Sequence, residues 1–353
     1  MKIYFLYNVI EGPFGGANQF FKMLKRYLGE KGVVTESPEE ADIIVFNSHS
    51  FGGGKGGVFS KVLALRKSYP EKLFVHRVDG PVNMYRGKKR LGIDREIYRI
   101  NALVSDATVF QSYWSKKENK RRGMADHEYE VVIVNAPDPD IFYPGNDAST
   151  ALDSGRIRII ATSWSHHEGK GFDIYRFLDE HLDYGRYEMT FIGNSPVSFK
   201  HIRMIPPLES RVLAQKLRES DMFITASKND PCSNALLEAL HSGLPAVVRS
   251  SGGHPELIGK GGEVFTDTTD VLAVIDRVAH HISDYRSHIA VSSMEEVGSR
   301  YLAFFECVVQ EARPRVLPPV AIFFLSLRYG VFRYIRILKS IYRRMLKKVS
   351  SVL

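Results

Sequence analysis

Cysteine is nearly absent from this sequence. Two in 353 residues, Cys232 and Cys307, cannot build a disulfide framework, and no C-x-x-C pair is present, so the composition predicts a reducing compartment. Long apolar runs are also missing at the C-terminal end, where the uncharged stretch 316–327 has 12 residues against the ~20 that a membrane-spanning helix needs. The N-terminal run MKIYFLYNVIEGPFGG carries one basic residue and a short apolar segment before Glu11, the pattern of a first strand rather than a secretory leader. The glycine cluster 51–57 lacks phosphate-loop spacing, because its Gly-Lys is followed by Gly and not by Ser or Thr; it reads as a mobile loop at a cleft mouth.

Acidic residues stop at Glu311. Beyond it lie ten cations, from Arg313 to Lys348, and no acid, which leaves 38 basic against 40 acidic residues in the first 311, a net −2. A near-neutral body with a cationic tail argues against a nucleic-acid channel and for an anionic surface met by the tail alone.

What is present is a globular chain, 44% apolar and 25% charged, long enough for two domains. Its first half alternates strand-like runs (2–9, 43–46, 73–75, 107–110, 131–134) with an amphipathic helix over 17–28, the rhythm of βα units and a parallel sheet. Gly15 and Gly16, after the first strand, would let the backbone come close to a diphosphate. His76 and Asp79 end another strand with polar groups, at the sheet edge where α/β proteins bind ligands. His76 could bond a sugar hydroxyl and Asp79 could act on an acceptor proton; a strand-end histidine and a turn aspartate are the plainer reading. A linker is predicted over 145–155, after which the pattern restarts with strands at 156–162 and 188–193 and helices at 172–182 and 212–218.

The most informative stretch is FITASKNDPCSNALLEALHSGLPAVV, residues 223–248. A short apolar strand leads into a polar loop. Ser233 or Asn234 then caps a helix over 235–242 with Leu236, Leu237 and Leu240 on its apolar face, and Gly243 and Pro245 end it. Such a unit aims loop amides and a helix N-terminus at an anion above a parallel sheet. Two carboxylates flank that place, Asp230 in the loop and Glu238 a turn into the helix, suited to sugar or ribose hydroxyls. Taken alone, they are equally the acids of an ordinary βαβ unit.

The D-x7-E spacing of Asp230 and Glu238, the ALHSGLPAVV run and the following SGGHPELIGKGG resemble the donor-binding signature of family-4 (group 1) retaining glycosyltransferases. So do Lys170-Gly171 and the run from Asn135 to Pro144. The resemblance covers roughly residues 1–311 and implies the GT-B fold: an α/β architecture of two facing Rossmann-like domains with a cleft between them. The expected units are 1–147 (acceptor side), 148–312 (nucleotide-sugar donor, with a cross-over helix) and 313–353 (tail). It further implies that Glu238 holds a ribose and Asp230 the sugar, with Lys170, Gly15, Gly16, Ser233 and Asn234 on the diphosphate. His76 and Asp79 would face the reacting centre. Pro231 and Cys232 belong to the same donor loop, and Asn194 falls where this family surrounds the nucleobase. Two departures stand out: Asp230 replaces the usual Glu, and Ser165 the usual Arg. No metal or other cofactor is implied, and the adjacent His166 and His167 lack partners at ligand spacing.

The tail is expected to form a basic amphipathic helix over 320–349, with Leu327, Val331, Ile335, Leu338, Tyr342, Met345 and Val349 opposite Arg333, Arg336, Lys339, Arg343 and Lys347. An interfacial helix on anionic lipid fits that pattern; packing of the apolar stripe on the protein body is the other reading. The expectation is a cytoplasmic protein, peripheral on the inner face of the cytoplasmic membrane. It would pass sugar from a nucleotide-sugar donor to a lipid-linked saccharide acceptor in cell-surface polysaccharide synthesis. A non-catalytic nucleotide-sugar-binding scaffold and a GT-B nucleotide-sugar epimerase are the alternatives.

Overall fold

The computed structural model describes residues 1–7, 9, 16–47, 58–86, 91–145 and 155–328. Gly15, the glycine cluster 51–57 and the tail beyond residue 328 lie outside the described residues.

The first half is built from β1 (Ile3–Phe5), α1 (Gly16–Glu30), β2 (Ile43–Asn47), α2 (Val58–Ser68), β3 (Leu73–Val78), α3 (Val82–Arg86), α4 (Leu91–Val104), β4 (Ala107–Phe110), α5 (Tyr113–Arg121) and β5 (Tyr129–Val132). The strands form one parallel sheet in the order β1-β2-β3-β4-β5, and Val34 adds a parallel bridge to Ile3. Every residue of β2, β3 and β4 is buried, as parallel strands covered on both faces require. Alternation sends Val45, Val75 and Val109 into one core with Phe20, Phe21 and Leu24 of α1, while Phe46, Phe74 and Val78 meet Val62, Ile97 and Ile100 of α2 and α4.

The second half runs through β6 (Ile157–Ser163), α6 (Phe172–His181), β7 (Tyr187–Gly193), β8 (Arg203–Ile205), α7 (Ser210–Arg218), β9 (Met222–Thr225), α8 (Asn234–His241), β10 (Ala246–Arg249), α9 (His254–Ile258), β11 (Gly262–Phe265), α10 (Val271–His280), α11 (Ile282–Ser287) and α12 (Met294–Glu311). Its sheet is parallel, in the order β11-β10-β9-β6-β7-β8. The chain winds outward from β6, returns to β9 and winds out the other way. The loops leaving β6 and β9 therefore part in opposite directions and open a crevice at the carboxyl edge. The last helix, α12, crosses back: its Val297, Tyr301, Phe305 and Val308 are buried in the core of the first sheet.

The start of the tail is docked rather than free. Residues 319–328 are helical, with Leu317 and Leu325 buried in the α2/α4 core. Arg315 N donates to Asp106 Oδ1 at 2.7 Å, and Arg328 pairs with Glu96 at 2.6 Å. Val316, Val320, Phe323, Phe324 and Leu327 remain exposed, at 55–84%. The rest of the helix expected to 349 lies outside the described residues.

Candidate active site

Lys170 ends a 3-10 turn, Glu168–Lys170, that His167 caps by accepting from Gly169 N at 3.1 Å. Gly171 follows at φ 78°, where a Cβ would lie 2.1 Å from Ala226 O, so only glycine lets the β6 loop press this closely on the β9 loop. Lys228 N, donating to Gly169 O at 2.8 Å, locks the two loops together. The result is an ion pair across the crevice, Lys170 Nζ to Asp230 Oδ2, 3.1 Å. Burial pushes the Asp230 carboxyl up, but the positive charge of Lys170 and the neighbouring His254 outweigh it and hold the group below its ordinary range.

The loop after β10 supports Asp230 from beneath. Gly253 N donates to Asp230 O at 2.8 Å, and a Cβ on Gly252 would sit 2.3 Å from that same oxygen. Ser233 caps α8 by accepting from Leu236 N, and Leu236, Leu237 and Leu240 are buried beneath the helix. The carboxylate of Glu238, on the second turn of α8, has no hydrogen bond or ion pair among the described residues, and burial alone pushes it up to about 8. An acid raised by burial and without a side-chain partner, one turn from a helix N-terminus, is a marker of a ligand site.

The first sheet faces this crevice with buried polar groups. Arg77, fully buried, donates to Tyr301 OH at 3.1 Å and to Asn135 Oδ1, lies 3.6 Å from Asp79 and packs on Phe20 and Phe21. Gln111 donates to Asp79. Further contacts join the two halves. Asn135 Nδ2 donates to Asn234 Oδ1 at 2.9 Å, Asn135 N to Cys232 Sγ at 3.5 Å, and Asn229 Nδ2 to Met84 O at 3.2 Å. Glu256 accepts from Tyr113 N and Trp114 N at 3.1 and 3.2 Å.

Residues 186–284, from β7 to the middle of α11, match the family described as glycosyl transferases group 1. Solved structures match over nearly the whole chain. Sucrose-phosphate synthase from Thermosynechococcus elongatus is 13% identical, with 88% of this chain and 96% of that one covered and a TM-score of 0.59. HepE from Anabaena, in complex with UDP and glucose, is 13% identical, with 88% and 98% covered and a TM-score of 0.62. The trehalose 6-phosphate synthase of Burkholderia multivorans is 13% identical, with 84% and 78% covered and a TM-score of 0.55. Among curated proteins none matches by sequence. The chain has the GT-B fold, and within it residues 186–284 match the group 1 glycosyltransferase family.

Lys170 pairs with Asp230; Pro231, Cys232 and Ser233 follow in the same loop, Ser233 capping the helix that carries Asn234 and Glu238, and Gly80, next to Asp79, packs against Pro231. Ser165 shapes the β6 loop, its carbonyl accepting from Ser163 Oγ at 2.8 Å and its hydroxyl from His167 N at 3.3 Å; Asn194 Nδ2 ties that loop to β7 by donating to Trp164 O at 2.7 Å. Gly16 opens α1. Cys232 is buried, and burial pushes its thiol up to about 12.

His76 stands apart from this group and corrects the expectation placed on it. The strand runs on to Val78, so His76 lies inside β3 and not at its end. Its ring is fully buried, stacked 4.3 Å from Phe46, with Asn101 Nδ2 3.2 Å from its Nδ1. It belongs to the α2/α4 core. His254 and Glu256 carried no role in the sequence reading. The His254 Nδ1 lies 3.2 Å from Arg249 O, and its Nε2 has no partner among the described residues. Among those residues no group of three or more His, Cys, Asp or Glu is gathered as a metal site would need.

Proposed function

We propose that this chain is a retaining glycosyltransferase that moves a sugar from a nucleotide diphosphate sugar to a hydroxyl of a lipid-linked saccharide. It works at the inner face of the cytoplasmic membrane, in the assembly of O-antigen, capsule or exopolysaccharide. The observation that carries the reading is the convergence of Lys170, Asp230 and the α8 N-terminus at the crevice between β6 and β9, with Glu238 unpartnered beside them. In it, residues 148–312 hold the donor. Glu238 takes the ribose hydroxyls, Asp230 the sugar, and Lys170 with the loop amides the diphosphate. Lys170 and the open N–H groups of α8 stabilise the charge that develops on the leaving nucleoside diphosphate. Asp79, from residues 1–147, faces the acceptor hydroxyl. HepE structures holding UDP and UDP-glucose support a nucleotide-sugar ligand. No resident metal or other cofactor is invoked.

The tail supports a membrane-bound acceptor. Its helical start exposes Phe323, Phe324 and Leu327, the chain beyond Glu311 carries ten cations and no acid, and no helix among the described residues is long and apolar enough to cross a membrane. Such a surface suits the headgroup region of anionic lipid.

A second reading keeps donor binding and removes turnover. The Lys170–Asp230 pair favours it, because the ammonium is already neutralised. The full chain incubated with a panel of nucleotide sugars and a lipid extract separates the two. Release of nucleoside diphosphate, with the anomeric configuration retained in the product, is the expected result. Tight donor binding without release decides for the scaffold, and release without any saccharide acceptor for an epimerase.

A further inference from the structure

We infer that Glu256 is a positioning residue, an interdomain clasp that registers the Asp79 wall of the cleft against the Asp230 loop. The inference rests on the cleft being the active site. Glu256 lies on α9 of the second half, yet its carboxylate takes two first-turn N–H groups of α5 in the first half, Tyr113 N on Oε2 and Trp114 N on Oε1. Helix N-terminal amides have no partner within the helix and favour a negative charge. The sequence of α5 supplies no acid of its own in that turn, only Ser112, which caps Ser115 N. The missing charge arrives from the other half of the molecule.

What α5 carries makes this contact relevant to the site. Ser115 Oγ and Asn119 Nδ2 both donate to Asp79 O, at 3.1 and 2.8 Å, so the helix and the turn bearing Asp79 move as one. The next residue, Gly80, lies so close to the facing loop that a Cβ there would meet Trp114 at 2.9 Å and Pro231 at 3.1 Å. Glu256 Oε1 itself lies 3.3 Å from where a Gly253 Cβ would be, beside the Asp230 support. Through α5 the carboxylate is thus tied to the Asp79 turn, with Gly253 of the Asp230 support beside it. Glu256 is exposed, so water can replace each bond when the clasp opens.

The test compares the full chain with Glu256→Ala and Glu256→Gln. Amide exchange at Tyr113 and Trp114 in the presence of UDP should speed up about fivefold in the alanine variant and less in the glutamine variant. Small-angle scattering should report a larger radius of gyration, with the unfolding temperature unchanged. With a donor that turns over, kcat should fall while the donor Kd holds, since the residue touches no substrate. Unchanged exchange and scattering in Glu256→Ala would overturn the clasp. Those two arms read domain closure whether or not the protein transfers sugar, so a failure of the transferase reading is separately visible.

Discussion

Lys170 Nζ lies 3.1 Å from Asp230 Oδ2, joining loops 60 residues apart at the point where the winding of the second sheet reverses. Both groups are only partly exposed, and the ammonium helps hold the Asp230 carboxyl below its ordinary range. Lys170→Ala should therefore cut nucleoside diphosphate release by about 10²-fold, the scale of losing one charge stabiliser, with circular dichroism unchanged. Asp230→Asn should leave UDP affinity equal or tighter, because the freed ammonium turns to the phosphates, and should abolish transfer. Wild-type release rates in Lys170→Ala would remove this residue from the chemistry.

With Glu238 on the ribose, as proposed, donor binding should release a proton. Its carboxyl stays protonated up to about pH 8 when the cleft is empty, against an ordinary value of 4.5. Ribose hydroxyls donating to the ionised form would lower that value, so binding releases a proton and UDP affinity rises from pH 6 to 8.5. Calorimetry in two buffers of different ionisation enthalpy measures the release directly. Between pH 4.5 and 8 the folded chain holds a proton that the unfolded chain has lost, so this group weakens the empty fold as pH rises. Glu238→Gln should then raise the unfolding temperature at pH 8.5 by a few degrees while donor affinity falls. A pH-independent UDP affinity would count against the ribose role.

His76 predicts an acid limb in stability and none in activity. Burial holds it neutral down to about pH 3, and His127 to about 4, where an unfolded chain takes up each proton near 6.5. The unfolded state binds more protons in that window, so stability should fall as pH drops from 6.5 towards 4. His76→Phe should flatten that slope and leave transfer within a few-fold of wild type. Loss of transfer with an unaltered stability profile would return His76 to the reacting centre.

The docked start of the tail decides where it can be cut. Ending the chain at Glu311 removes Leu317, Leu325 and the Arg328–Glu96 pair from the first-sheet core, and should lower the unfolding temperature. Ending it after Arg328 should preserve stability yet abolish sedimentation with anionic vesicles at low salt. Phe323→Ser with Phe324→Ser should weaken vesicle binding of the full chain without touching stability. Full sedimentation of the chain ending at Arg328 would exclude the basic segment as the anchor.

Local sequence determined much of this molecule. The strand at 107–110 was legible to the residue, because a short apolar run flanked by polar turns has one buried solution. The α8 unit was legible to within one residue at each end, since cap, apolar stripe and terminating glycine all lie within a dozen residues. Which loop residues meet was decided only by tertiary structure. Lys170 reaches Asp230 because the sheet order brings β6 beside β9, a pairing that no local spacing encodes. His76 fell on the wrong side of the reading because β3 continues three residues past its apolar start, and the pleat then turns the ring into the core. Glu256 was invisible for the plainest reason. Its partners lie 142 and 143 residues away on another sheet, and a backbone amide leaves no mark in the sequence that presents it.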